Sequence, residues 1–158
     1  MKLKEIAEVI RGAYLVEGKA KRKKKKACRE LTMVSLEPIS FLDERKLLDV
    51  NCENEASPKQ LTKAGDVIVS LYHPMIACYV EKGQEGYVVP HYMVIVRTLP
   101  YVQIDSRFIV QFINSTRGRR ALAEKAREFD YANPASLPLA TLSNVELLAD
   151  VNRLIERY

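Results

Sequence analysis

The chain has 158 residues, enough for one ordinary domain, and its 47% apolar and 28% charged content is that of a globular protein and not a disordered one. Its net charge is +5, yet Lys19, Lys21, Arg22, Lys23, Lys24, Lys25 and Lys26 carry seven positive charges, which leaves −2 for everything else. Basicity is one local feature, which excludes a uniformly basic domain and points to an anionic partner at one place. Cys28, Cys52 and Cys78 are odd in number and form no CxxC, so no disulfide framework is implied. No apolar run approaches the roughly 18 residues of a membrane span, and Lys2, Lys4, Glu5, Glu8 and Arg11 interrupt any signal-peptide core. The expected setting is the cytoplasm, with no membrane partner.

In chain order, "KLKEIAEVIRG" places Leu3, Ile6, Ala7 and Ile10 at helical spacing before Gly12, which predicts a short amphipathic helix. The lysine run follows as a loop. "LTMVSL" (31–36) alternates like a strand buried on both sides, "LDERKLLDV" (42–50) suits a helical turn, and "NCENEASPKQ" (51–60) reads as a polar connector. From 64 to 98 the chain is β-rich: a turn at Ala64-Gly65-Asp66, then "VIVSL", "MIACYV" and "YVVPHYMVIVRT", a meander of short antiparallel strands with Pro74 and Pro90 at strand ends. The period then changes. Phe108, Ile109, Phe112 and Ile113 form one helical stripe capped by Asp105 or Ser106, and "TRGRRALAEKAREF" (116–129) predicts a second helix, basic on one side at Arg117, Arg119, Arg120, Lys125 and Arg127. "DYANPASLPLATLSN" (130–144) reads as a loop, and "VELLADVNRLIERY" (145–158) as a closing helix or a strand followed by a helix. The fold class is α+β: a short antiparallel or mixed strand meander with flanking helices.

Catalytic motifs fail on chemistry. Gly18-Lys19 has Ala20 where a phosphate-binding loop needs a hydroxyl for Mg²⁺, and Ala13 where it needs its first glycine. His73, Cys78 and His91 lack ligand or nucleophile spacing and read as a turn residue, a small buried side chain and a strand end. Glu44-Arg45-Lys46 fits the E-x-K half of a nuclease metal site, but no preceding Asp sits on an obvious strand. Asn133-Pro134 opens like an adenine-methyltransferase motif that Ala135 breaks. The expectation is a non-enzyme with no catalytic residues, metal or cofactor.

The order of the pieces carries more. "LKEIAEVIRG", then "LTKAGDVIVSLYHPMIACYVEKGQEGYVVPHYMVIVRT", then "QIDSRFIVQFINSTRGRRALAEKAREFDYANPASLPLATLSNVELL" together resemble a target recognition domain of the DNA specificity subunit of type I restriction-modification systems, a module shared with type IIB and IIG enzymes. The resemblance covers residues 1–148, with "LYHPMIA" in place of the glycine- and serine-bearing loop common in the family. Residues 149–158 would begin the spacer helix, truncated here, so that the chain is similar to half a specificity subunit.

The resemblance implies a DNA methylase specificity domain-like fold. It also implies sequence-specific binding of double-stranded DNA, directing methyltransferase and restriction subunits to a half-site, beside a second half-subunit or a homodimeric copy. Phosphates would be held by Lys19, Lys21, Arg22, Lys23, Lys24, Lys25 and Lys26, whose other reading is a solvated loop. Base edges would be read by Tyr14, Tyr72, His73, Tyr131 and Asn133, since Asn can pair bidentately with adenine; each also fits a surface turn. Two other readings stand beside this one: a protein-interaction or regulatory module of a restriction system, and a metal-dependent nuclease built on Glu44-Arg45-Lys46.

Overall fold

The computed structural model describes residues 2–14, 26–36, 41–52, 56–71, 75–127 and 137–145. Among the described residues, six strands run in chain order: β1 (Ala7–Arg11), β2 (Lys26–Glu30), β3 (Leu48–Cys52), β4 (Val67–Ser70), β5 (Ala77–Tyr79) and β6 (Met93–Thr98). Three α-helices follow: α1 (Arg107–Asn114), α2 (Thr116–Ala126) and α3 (Leu137–Asn144). The fold is mixed α+β. A four-stranded antiparallel sheet has the order β1-β6-β4-β5, and β2 pairs with β3 in a separate hairpin. This is no simple meander, because β6 passes β5 and inserts between β4 and β1.

The pleat sorts the sheet's side chains. Val67, Val69, Val94 and Val96 face the layer of Leu3, Ile6, Ile109, Val110, Phe112, Ile113, Leu122 and Leu142, whereas Ile68, Cys78, Met93 and Ile95 face Leu31, Leu36, Leu42 and Val89. Helices therefore cover one face, and Leu31, Leu36 and Leu42, from the chain between β2 and β3, cover the other. β4 is buried at every position: Val67, Ile68 and Val69 are apolar, and the buried Ser70 Oγ accepts from Ile76 N–H at 3.0 Å.

The predicted N-terminal helix is replaced by a 3-10 turn at Leu3–Glu5 and the strand β1. Val9 lies opposite Val96 and Ile10 opposite Ile95. Propensity differences reach only about 0.7 kcal/mol per residue, while burying a Val or Ile side chain is worth about 1.5–3 kcal/mol. Pairing wins. The expected strand at 31–36 is likewise a 3-10 turn, Met33–Ser35. Thr32 N–H donates to Ser35 Oγ at 2.9 Å, and both hydroxyls donate to Lys46 O at 2.8 and 2.9 Å. Such local bonds favour a turn over a ladder. The 42–50 segment splits into the turn Glu44–Lys46 and the start of β3, and the 51–60 connector holds a further turn at Pro58–Gln60. Within the expected loop at 130–144, residues 137–144 form α3, with Pro138 tolerated in its first turn and Leu142 and Val145 buried below it.

Asn114, the last residue of α1, bonds the edge strand β5 through its carboxamide. Its Nδ2 donates to Ala77 O and its Oδ1 accepts from Ala77 N–H, each at 2.8 Å. The expected turn before β4 is present: Gly65 has φ +89°, and Asp66 Oδ2 accepts from Lys63 N–H at 2.8 Å. Residues 149–158, expected to begin a spacer helix, lie outside the described residues. Among the described residues no helix is long and apolar enough to cross a membrane.

Candidate nucleic-acid interface

Beyond β1 the chain continues through Gly12, whose N–H donates to Met93 O at 2.9 Å, and Ala13, whose N–H donates to Val89 O at 2.7 Å. Gly12 lies so close to the backbone of Pro90 that a Cβ would stand 1.7 Å from the Pro90 oxygen. Only a residue without a side chain admits this approach. Its product is an aromatic pair: Tyr14 is set against His91 with ring centroids 4.8 Å apart, and His91 meets the edge of Tyr92 at 5.4 Å. Arg11 Nε donates to His91 O at 3.2 Å and holds a guanidinium beside the pair. Tyr14 is 70% exposed, a large ring positioned by backbone pairing and left open to solvent. After it the lysine-rich segment begins, and β2 re-enters with Lys26.

This edge can do three things chemically. A tyrosine offers a flat face and a hydroxyl donor or acceptor, His91 adds ring nitrogens, and Arg11 adds a cation beside them. None of these groups is arranged as a nucleophile with a base. Cys78 is buried in β5 on the hairpin face of the sheet, so it serves packing.

Of the base-reading candidates, Tyr14 is therefore seen and is joined by His91 and Arg11, which sequence reasoning did not place at this edge. Tyr72, His73, Tyr131 and Asn133 lie outside the described residues, as do Lys19, Lys21, Arg22, Lys23, Lys24 and Lys25. The clue to His91 was present in the two backbone punctuators, Gly12 and Pro90, one of which had to pack against the other. Nothing in residue spacing expressed it.

Two further polar clusters are structural in their bonding. Asp66 is 3% exposed and takes a bidentate pair from Arg97, Nε to Oδ1 at 2.9 Å and Nη2 to Oδ2 at 2.8 Å, while Arg97 Nη2 also reaches Leu61 O at 3.1 Å. The cavity of about 320 Å³ beside them is lined by Lys63, Asp66, Tyr79, Arg97, Ile104 and Asp105. Its arginine is already committed to a carboxylate. At the hairpin, Glu44 accepts from Tyr87 Oη at 2.6 Å and from Gln84 Nε2 at 3.0 Å, and Arg29 lies 5.3 Å from the centre of the Tyr87 ring. The Tyr87 and Gln84 donors hold the Glu44 carboxyl below its usual range, and the same bond raises the Tyr87 phenol. Both oxygens of the residue that opens Glu44-Arg45-Lys46 are thus engaged by neutral side chains. Among the described residues no group of three or more His, Cys, Asp and Glu could hold a metal ion.

Compared with known proteins, the chain matches no family profile and no curated protein sequence.

Proposed function

We propose that this chain is a non-catalytic DNA-recognition domain of the type I specificity-subunit kind, with a DNA methylase specificity domain-like fold. It holds duplex phosphates with the 19–26 lysine segment and presents Tyr14, His91 and Arg11 to the base edges. The observation that carries this reading is the placement of Tyr14: an exposed ring, fixed against His91 by the obligatory Gly12–Pro90 approach, at the root of the most basic segment in the chain. Phosphate contacts give affinity and register, and side chains with directional hydrogen bonds give sequence. The order of sequence motifs over residues 1–148 supports the same assignment, together with methyltransferase and restriction subunits as partners.

The test is anisotropy titration against a random duplex across salt concentrations. Wild-type protein is expected to bind in the micromolar range. Changing Lys23, Lys24, Lys25 and Lys26 to Ala should weaken all sequences alike and shrink the salt slope by up to roughly 0.9 for each phosphate no longer neutralised. Tyr14→Ala should instead reduce discrimination between sequences more than total affinity. An absence of duplex binding by the wild type, or a lysine variant with unchanged affinity and slope, would return the segment to a solvated loop.

A further inference from the structure

We infer that the outer face of α2 is a second DNA-phosphate surface, separate from the Tyr14 edge, formed by Arg117, Arg119, Arg120 and Arg127. The inference rests on the DNA-recognition reading and adds to it a second group of cations, apart in sequence from the lysine segment. α2 belongs to the helical layer, where Leu122 is buried against the sheet face lined by Val67, Val69, Val94 and Val96. Leu31, Leu36 and Leu42 cover the opposite face. The arginines of α2 thus belong to the helical layer of the domain.

Three observations single out these arginines. First, they are exposed, and at 100° per residue they fall within an arc of about 160° along a rise of about 15 Å. Second, four other arginines are paired, while Arg11, without an ion pair among the described residues, donates to His91 O. Arg29 pairs with Asp49, Arg45 with Asp43, Arg97 with Asp66, and Arg107 with Glu81 and Asp105, whereas none of the four on α2 has an ion pair among the described residues. Third, three of them occupy the first five positions of the helix, where the first turn holds no acidic residue and the dipole disfavours cations. Arg117 and Arg120 also stand at i,i+3, a like-charge spacing that destabilises an isolated helix. Packing holds the helix in spite of this. Ser115 Oγ accepts from Gly118 N–H at 2.9 Å and donates to Phe112 O at 2.7 Å, which locks the α1–α2 corner.

An anionic partner relieves both repulsions at once. Four guanidinium forks on a rigid helix match phosphate oxygens, which they bind bidentately and without geometric rearrangement. Duplex DNA carries one charge per about 1.7 Å of axis, so a face of about 15 Å meets a near-continuous line of acceptors. Among the described residues, Glu124 is the one carboxylate on that face.

The experiment compares full-length wild type with the variant Arg117→Gln, Arg119→Gln, Arg120→Gln, Arg127→Gln, since Gln keeps helix propensity near that of Arg. A control removes the same charge elsewhere: Lys4→Gln, Lys59→Gln, Lys63→Gln, Lys82→Gln. Thermal melting first establishes that all three fold. For a random duplex, the arginine variant should bind at least about 10-fold more weakly at low salt, with a salt slope smaller by roughly 2–4. The control should change by less than about 3-fold, the residue of long-range charge alone. Equal losses in both variants, or none in the arginine variant, overturn the inference. Loss of retention on polyglutamate with duplex affinity intact would assign the face to an acidic protein and also overturn it. The lysine variant keeps the two readings apart. If it weakens binding while the arginine variant does not, only the α2 surface fails; if wild type binds no duplex, both fail.

Discussion

A methyl group at position 12 would stand 1.7 Å from the Pro90 carbonyl oxygen and 2.6 Å from that of Val89, both main-chain atoms that no rotamer change can move aside. Gly12→Ala is therefore expected to destabilise the fold by about 3 kcal/mol, the upper end of what overpacking costs. At roughly 2–4 °C per kcal/mol for a chain of this size, the melting temperature should fall by about 6–12 °C. A shift under about 2 °C would mean that the strand end is free to move away from Pro90. The same substitution should loosen Tyr14 from His91, so its effect on sequence discrimination should exceed that of Tyr14→Phe, which keeps the ring. The buried pair of Asp66 and Arg97 shows the opposite kind of residue-scale constraint, in which two charges are tolerated because each finds its partner.

At the scale of elements, the hairpin β2–β3 is the least self-sufficient piece. Its register sets Arg29 opposite Asp49 and Glu30 opposite Leu48, which is 49% exposed. Its attachment runs through backbone bonds to Val88 and through the Glu44–Tyr87–Gln84 cluster, with Arg29 Nη2 donating to Glu44 O at 3.2 Å. Beside it, the Arg45 guanidinium holds the Asp43 carboxyl low. A carboxylate depressed in the folded state stabilises the fold above its unfolded pKa, about 4.3 for Glu, and that contribution disappears as pH falls through the lower folded value. Glu44→Gln should thus be less stable than wild type at about pH 7, by about 1 kcal/mol at most because solvent screens a surface bond. The deficit should close by about pH 3. Denaturant titrations at both pH values check the sign; a deficit that grows in acid would contradict the arrangement.

Element by element, legibility followed burial. β4, β6 and α1 were readable because each is a dense run of apolar side chains whose period matches its backbone. β1 was not, since Leu3, Ile6, Ala7 and Ile10 satisfy a helical stripe, whereas Ala7 and Ile10 pack on opposite faces of the sheet and only the partners Val96 and Ile95 reveal the strand. The 31–36 segment misled because Thr32 and Ser35 suit an alternating pattern yet commit their hydroxyls to Lys46 O. α3 was hidden by Pro138. Of the site, Tyr14 was legible from its position after the predicted stop at Gly12, and the arginines of α2 from their clustering. His91 was not, because its place is set by a contact between main chains far apart in sequence.

For the whole molecule, the proposed recognition-domain role would have it see only half of a bipartite site, so its discrimination should be modest. A mismatched base pair typically costs about 1–3 kcal/mol against a strong phosphate background. Joining a second copy, or adding methyltransferase subunits, should sharpen the preference. A selection from random duplexes should yield a motif with the assembly that Tyr72→Ala and Asn133→Ala degrade more than they lower affinity. A motif left intact by both substitutions would remove those residues from readout and favour the interaction-module reading.

The carboxamide of Asn114 imitates a peptide group toward Ala77, donating and accepting as a neighbouring strand would. An open sheet edge is a template on which another chain can polymerise. By occupying that edge from within, the last residue of α1 removes one addressable position for strand addition. Copies of this domain brought close together then lack a ready seam at Ala77 through which to fuse into a continuous sheet.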